Sequence, residues 1–193
     1  MSPDDIRGAL DFVRGAERLK DVLRCSHTSS GRPESTAEHT WRLCLMAMVF
    51  ADAVPGIDVA RLLKICVVHD LGEAIHGDVP AVVQDGGPDK AARERADLAT
   101  LTEPLPAAIR TEILALWEDY EAAASPEARL AKAFDKLETM LQHAQGRNPP
   151  DFDYAFDLGY GTKYTAAHPL TAAIRALIDD DMRARIRQQA GAE

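Results

Sequence analysis

Apolar residues along this chain recur mostly at three- and four-residue intervals, the period of an amphipathic helix. The first such run covers about residues 3–23, with Ile6, Leu10, Phe12, Val13 and Leu19 apolar. Residues 25–33 are rich in Ser, Thr and Gly and read as a loop. Ser35-Thr36-Ala37-Glu38 then has the spacing of a capping box, in which the Ser hydroxyl accepts from the backbone three residues on and the Glu reaches back. The spacing predicts a helix from there to about Ala53, with His39, Leu43, Met46, Phe50 and Ala53 on one face. Pro55-Gly56 ends it, and Asp58 can cap the next helix. That helix turns Val59, Leu62, Leu63, Cys66 and Val67 inward and runs through His69-Asp70 to about His76, before Gly77. Further helices are predicted over about 89–99, 105–123, 125–145 and 169–189. Asp85-Gly86-Gly87-Pro88 reads as a loop between helices. Residues 148–164, rich in Pro, Asp, Gly and Tyr, read as a long loop of a kind that is often functional. With no hairpin signal, repeat or linker, the expectation is an all-α fold in a single domain over 1–193.

Composition acts mainly by exclusion. The chain has 22 Lys+Arg against 31 Asp+Glu, a net charge of −9, and no basic run. A binder of nucleic acid that relies on phosphate neutralisation is therefore not expected. The longest apolar stretch, residues 43–51, is too short for a bilayer, and the first residues lack the basic and apolar regions of a secretory signal. Cys25, Cys44 and Cys66 form no CxxC pair, so a thiolate zinc site is not expected either. Cys44 and Cys66 read as small core residues, and the expected compartment is the reducing cytoplasm.

The informative segment is His69-Asp70-Leu71-Gly72-Glu73-Ala74-Ile75-His76-Gly77-Asp78. It places five ionisable groups directly after an apolar helix, where buried charges need partners or a metal. His69 and Glu73 share a face at i and i+4, and Asp70 is displaced about 100° from His69. His39 lies on the inward stripe of the preceding helix, and Asp135 lies in another helical pattern with Leu130, Phe134, Leu137 and Leu141. His39, His69, Asp70 and Asp135 are therefore two imidazoles and two carboxylates from three helices, a way bundles build metal sites. Mixed N/O ligands suit Mn, Fe, Co, Ni or Zn, with Mg possible.

His39…His69-Asp70…Asp135 resembles the H…HD…D signature of the HD-domain metal-dependent phosphohydrolases. The flanking residues, in order, are Leu19-Lys20 and Arg24, Arg32-Pro33-Glu34-Ser35 with Glu38, Glu73 with Gly77-Asp78, and Phe134-Asp135-Lys136-Leu137 with Leu141-Gln142. They resemble the 5′-deoxynucleotidase branch, shared with HD domain-containing protein 2, over about residues 10–145, leaving a C-terminal loop and helix over 146–193. The resemblance implies an HD-type helical bundle holding one divalent metal ion between helices, a homodimer, and hydrolysis of (deoxy)nucleoside 5′-monophosphates. It makes His39, His69, Asp70 and Asp135 metal ligands, Arg24 the phosphate contact, and Glu73 and Asp78 the catalytic carboxylates. Where that branch has Trp directly after the phosphate Arg, this chain has Cys25. A thiol cannot form the same wall, so the resemblance does not carry over a preference for deoxyribose. The alternatives are an HD hydrolase of another phosphoester, such as a nucleoside triphosphate or an alarmone, or a non-catalytic metal-binding helical module.

Other residues have plainer expected uses. Glu38 reads as a helix cap, Arg42 as half of a salt bridge, and Trp41 and Trp117 as packing. His76 shares a face with His69 and Glu73, but the family pattern needs no His there, and a pocket or solvent role is expected. Tyr154, Tyr160 and Tyr164 read as cover for the core, and Asp179-Asp180-Asp181 as a solvated helix segment.

Overall fold

The computed structural model describes residues 1–79 and 88–191. The chain opens with α1 (Pro3–Ala16), capped by Ser2 and Asp5, which tightens into a 3-10 turn over Glu17–Lys20. A helix through residue 23 was expected. Instead β1 (Leu23–His27) pairs antiparallel with β2 (Pro33–Ser35), with an irregularity between the Leu23–Ser35 and His27–Pro33 partners. The loop expected over residues 25–33 is thus partly the hairpin. Its sequence lacks a two-residue turn signal because the strands are joined by the longer Thr28–Arg32 connection.

Ser35 and Glu38 form the expected capping box at the head of α2 (Thr36–Phe50), which continues as a 3-10 turn over Ala51–Ala53. Asp58 caps α3 (Val59–Val68), as expected. That helix stops earlier than its apolar pattern suggested. His69 closes it, a turn follows, and α4 (Glu73–His76) is a separate single turn ended by Gly77 at φ +85°. The remaining helices are α5 (Pro88–Leu101), α6 (Ala107–Ala122), α7 (Pro126–Gln145), α8 (Tyr154–Asp157), α9 (Thr162–Thr165) and α10 (Pro169–Ala190). Of these, α5, α6, α7 and α10 lie close to their predicted places, while α8 and α9 are short helices inside the expected 148–164 loop or at its end. The turn expected at Asp85–Gly87 lies outside the described residues.

The core is organised around α7, which packs against α2, α3, α6 and α10. Leu130, Phe134, Leu137 and Met140 are buried on it together with Leu43, Leu62, Ile65 and Met182 from its neighbours. This helix is buried on its polar side as well, through Lys132, Asp135, Glu138, Thr139, Gln142 and His143. Each of those groups must find a partner inside the protein. Two apolar expectations differ: Trp41 on α2 and Val67 on α3 are exposed, while Trp117 packs as expected; Ile6, Leu10 and Val13 of α1 are exposed as well. Among the described residues no helix is long and apolar enough to cross a membrane.

Candidate active site

The capping box fixes the start of α2 and thereby the depth of His39, which enters one turn into the helix and is fully buried. The apolar face of α3 drives its C-terminus into the core and carries His69 and Asp70 with it. The His39 and His69 rings stand 5.4 Å apart. His69 Nδ1 donates to the Cys66 carbonyl at 2.7 Å, which leaves Nε2 with its lone pair. His39 Nδ1 is held by Glu138 Oε2, and its Nε2 also points inward. A second ring partner of this kind orients a histidine toward a metal. Asp70 Oδ2 lies 2.9 Å from His69 Nε2 and 3.9 Å from His39 Nε2. These three atoms are buried, converge on one point and have no hydrogen-bond partner.

Asp135 borders the same point, its Oδ1 3.2 Å from His39 Nε2. Its Oδ2 accepts from the Tyr120 hydroxyl at 2.6 Å and pairs with Lys136 at 2.9 Å. The four sequence-derived ligands are therefore brought together, three tightly and the fourth at the edge. Two imidazole nitrogens and two carboxylates fit a divalent ion. The electrostatics agree. Burial would lower the His39 pKa, yet Glu138 and Asp135 outweigh it and raise it to about 10. Burial would likewise raise Asp70, but His69, His39 and Arg24 hold it below the usual carboxylate range. A proton retained on a buried imidazole among carboxylates marks the excess negative charge that a cation would satisfy.

A second acidic group, Glu34 with Glu138 and His39, lies behind the first. It reads as orienting support, because guanidinium groups already neutralise it. Arg42 Nε meets Glu138 at 2.6 Å, and Arg24 Nε lies 3.7 Å from Glu34. Arg42 thus takes the salt-bridge role expected of it.

Arg24 reaches inward from β1. Its Nη1 lies 3.5 Å from Asp70 Oδ2, and Nη2 donates to Thr139 at 3.1 Å. Burial opposes its charge, but Asp70, Asp78, Asp135 and Glu138 together raise its pKa above the ordinary value. Glu73 is buried on α4 and accepts from Thr36 at 3.2 Å. Burial first, then Asp70 and Asp78, pushes its carboxyl far above the usual range, so it holds a proton at neutral pH. Asp78 follows the Gly77 turn, close enough to influence both Arg24 and Glu73. The exposed His76 side chain pairs with the buried Asp97 at 2.7 Å.

Several residues at the site have no signal in the sequence reading. Glu138 and Tyr120 support His39 and Asp135. Lys90 and Glu94 of α5, paired at 3.1 Å, act on Asp70 and Glu73. They come close because Gly72 has no side chain: a Cβ there would lie 2.6 Å from the Glu94 carbonyl oxygen. Tyr160, expected only as cover, has its ring 5.2 Å from the Lys136 ammonium beside Asp135. A helical period that repeats every seven residues could have marked Glu138 as one turn from Asp135; nothing local marks α5.

The HD domain family matches residues 16–175, more than half of the chain. The chain belongs to the HD-domain family. Among its relatives, the 5′-deoxynucleotidase HDDC2 of Homo sapiens is 34% identical over 141 residues, covering 72% of this chain and 68% of the relative. The protein of the same name from Danio rerio is 35% identical, over 69% of this chain and 66% of the relative. The crystal structure of a predicted metal-dependent phosphohydrolase from Magnetospirillum magnetotacticum MS-1 superimposes with a TM-score of 0.73 at 29% identity, covering 93% of this chain and 96% of that one. In this HD domain the H…HD…D residues are the ones that surround the inward-pointing nitrogens.

Proposed function

We propose that this HD domain is a metal-dependent phosphomonoesterase releasing phosphate from (deoxy)nucleoside 5′-monophosphates. The observation that carries the reading is the grouping at one point of unpartnered His39 Nε2, His69 Nε2 and Asp70 Oδ2, flanked by Arg24 and by the buried carboxyl of Glu73. Relatives called 5′-deoxynucleotidase support the substrate class.

In this reading His39, His69, Asp70 and Asp135 hold one divalent ion. When bound, such an ion lowers the pKa of water and withdraws charge from a phosphoryl oxygen. Arg24 offers its planar fork to the phosphate, exchanging its contact with Asp70 for the substrate anion. The 5′ oxygen is a poor leaving group, and Glu73 delivers its proton to it as the bond to phosphorus breaks. Thr36 holds the Glu73 carboxyl in place. Asp78 orients the attacking water or contacts the sugar. Cys25 stands beside Arg24 on β1 and leaves the sugar side open to ribose as well as deoxyribose.

The test uses the full chain stripped with chelator and reloaded with Mn, Co, Mg or Zn. Phosphate release is measured from a panel of 5′-dNMPs, NMPs, NTPs and an alarmone, with His69→Ala alongside. Metal-restored release from monophosphates, lost in the variant, is expected. Release from none of them under any metal would overturn the reading.

The same reading places the enzyme in the cytoplasm, which suits its three free thiols. It also makes the enzyme a homodimer. Support comes from Trp41, Leu45, Met48 and Val49, which form an exposed apolar stripe at helical spacing on α2. Met48→Glu is expected to give a monomer by sedimentation velocity; an unchanged mass would remove this face from the interface.

A further inference from the structure

Two segments flank α7 beside the metal centre. β1 is tied to it by Arg24, which donates to Thr139 at 3.1 Å, and by Gln142, which donates to the His27 carbonyl at 2.6 Å. The segment from α8 to α9 is tied by His143, whose Nδ1 donates to Asp157 at 2.9 Å. It is tied again by Lys136, whose Nζ lies 5.2 Å from the centre of the Tyr160 ring. At about 100° per residue, Thr139 with Gln142 and Lys136 with His143 form two stripes about 80° apart on the helix. Asp135 falls within the first stripe, and its Oδ2 pairs with Lys136 of the second at 2.9 Å. Arg24 and Tyr160 therefore approach this ligand carboxylate from adjoining sides. Burial raises the Tyr160 pKa, Lys136 and Arg24 oppose the rise and Asp135 adds to it, so the hydroxyl lies within reach of all three charges.

Tyr160 has an aromatic neighbour. Phe156 meets its ring at 5.7 Å between centroids and 31° between planes. Phe156 is 37% exposed and Tyr160 half-buried. The pair is held rigidly from behind. The buried Arg175 donates to the carbonyls of Asp157, Leu158 and Tyr160 at 2.6–2.9 Å. Gly161 then turns at φ +64°, and a Cβ there would lie 2.7 Å from the Lys136 side chain. A segment pinned this closely presents a fixed aromatic edge to solvent. The other rings near the centre are already committed to packing: Tyr120 is buried against His69, and Phe152 lies between His143 and Tyr154.

We propose that Phe156 and Tyr160 form the base-binding edge of the site, on which the nucleobase of a nucleoside 5′-monophosphate stacks while its phosphate lies at Arg24. The proposal rests on the nucleotidase reading and deepens it. Phosphate calls for the cations, whereas a base offers a flat π face that aromatic rings receive. The sugar separates the two, so a base-binding ring belongs one side chain out from the ligand carboxylates, where Lys136 sets Tyr160. Stacking reads no hydrogen-bonding edge, so the site accepts any base and favours purines for their larger ring surface.

The test uses the metal-loaded full chain and three ligands. The KM of dAMP is compared with the inhibition constant of 2-deoxyribose 5-phosphate, which keeps sugar and phosphate but has no base. Deoxyadenosine, which has no phosphate to release, is followed by equilibrium dialysis. Phe156→Ala and Tyr160→Leu are each expected to raise the dAMP KM about 10-fold relative to the abasic phosphate, the scale of one lost base–ring stack, and to weaken deoxyadenosine binding equally. Tyr160→Phe keeps the ring and is expected to retain the wild-type ratio. A merely structural role would weaken dAMP and the abasic phosphate together, and that outcome would overturn the proposal. So would an unchanged ratio in both ring-removing variants. In either case wild-type turnover of dAMP leaves the nucleotidase reading standing. No phosphate release from dAMP by the wild type would overturn that reading and this proposal with it.

Discussion

His39 and Asp135 reach the site from α2 and α7, helices of 15 and 20 residues, and His69-Asp70 from the buried end of α3. Arg24, Glu73 and Asp78 come from a five-residue strand, a four-residue helix and the turn after Gly77. The first wall is positioned by packing of long apolar faces, and its geometry holds while those faces stay buried. The second is positioned by close approach of short pieces, above all α5 over Gly72. Ligand binding should therefore depend on chemistry at the first wall, and turnover on placement at the second.

The largest test removes a ligand outright. His69→Ala is expected to lose stoichiometric metal, read by elemental analysis, and to lower phosphate release by about 10³-fold or more. Glu73→Gln should separate the walls: it keeps metal content and lowers kcat by about 10²- to 10³-fold. Equal losses of metal and turnover would contradict its assignment to the second wall. Glu138→Gln attacks the first wall from behind. By loosening His39 it should weaken metal affinity about 10- to 100-fold, measured by competition with a chelating dye.

The pH dependence sharpens the same point. In the metal-free chain the raised His39 pKa means that a proton occupies the site at neutral pH. A metal must displace it, so apparent affinity should rise with pH, by up to about tenfold per unit, and fall in acid. The sign is opposite for stability of the metal-free fold. The contribution from His39 is full below the ordinary histidine pKa and is lost as pH rises through about 10. Smallest in chemistry is Gly72→Ala. Its Cβ would press on the Glu94 carbonyl, costing about 1–3 kcal/mol in thermal stability and shifting kcat rather than metal affinity.

The same division decides what could be read from the sequence. His39 was legible because a capping box sets the helix register, and Asp135 because Leu130, Phe134 and Leu137 do. His69 and Asp70 were legible as charges at the end of an apolar run. The β1–β2 hairpin was not, since its strands are short and its connection carries no turn dipeptide. The break between α3 and α4 was hidden because both pieces share one apolar period, and the turn between them is fixed by contact with α5. Lys90 and Glu94 could not be found at all from local pattern, because only the tertiary approach brings them to Glu73 and Asp70.

Arg175 of α10 has a role beyond its own helix. Its guanidinium donates to the backbone carbonyls of Asp157, Leu158 and Tyr160 and to the Thr165 hydroxyl, at 2.6–3.2 Å, while Asp179 balances its charge. Those carbonyls carry the segment that sets Tyr160 beside Lys136 and Asp157 beside His143. In vectorial synthesis all four H…HD…D residues leave the ribosome before this segment can be fastened. Arg175 follows Asp135 by forty residues, about 2–8 s at ordinary elongation rates. The nascent enzyme thus passes through an interval in which its ligands can meet while the cover over them is still unlatched, and the last helix closes it.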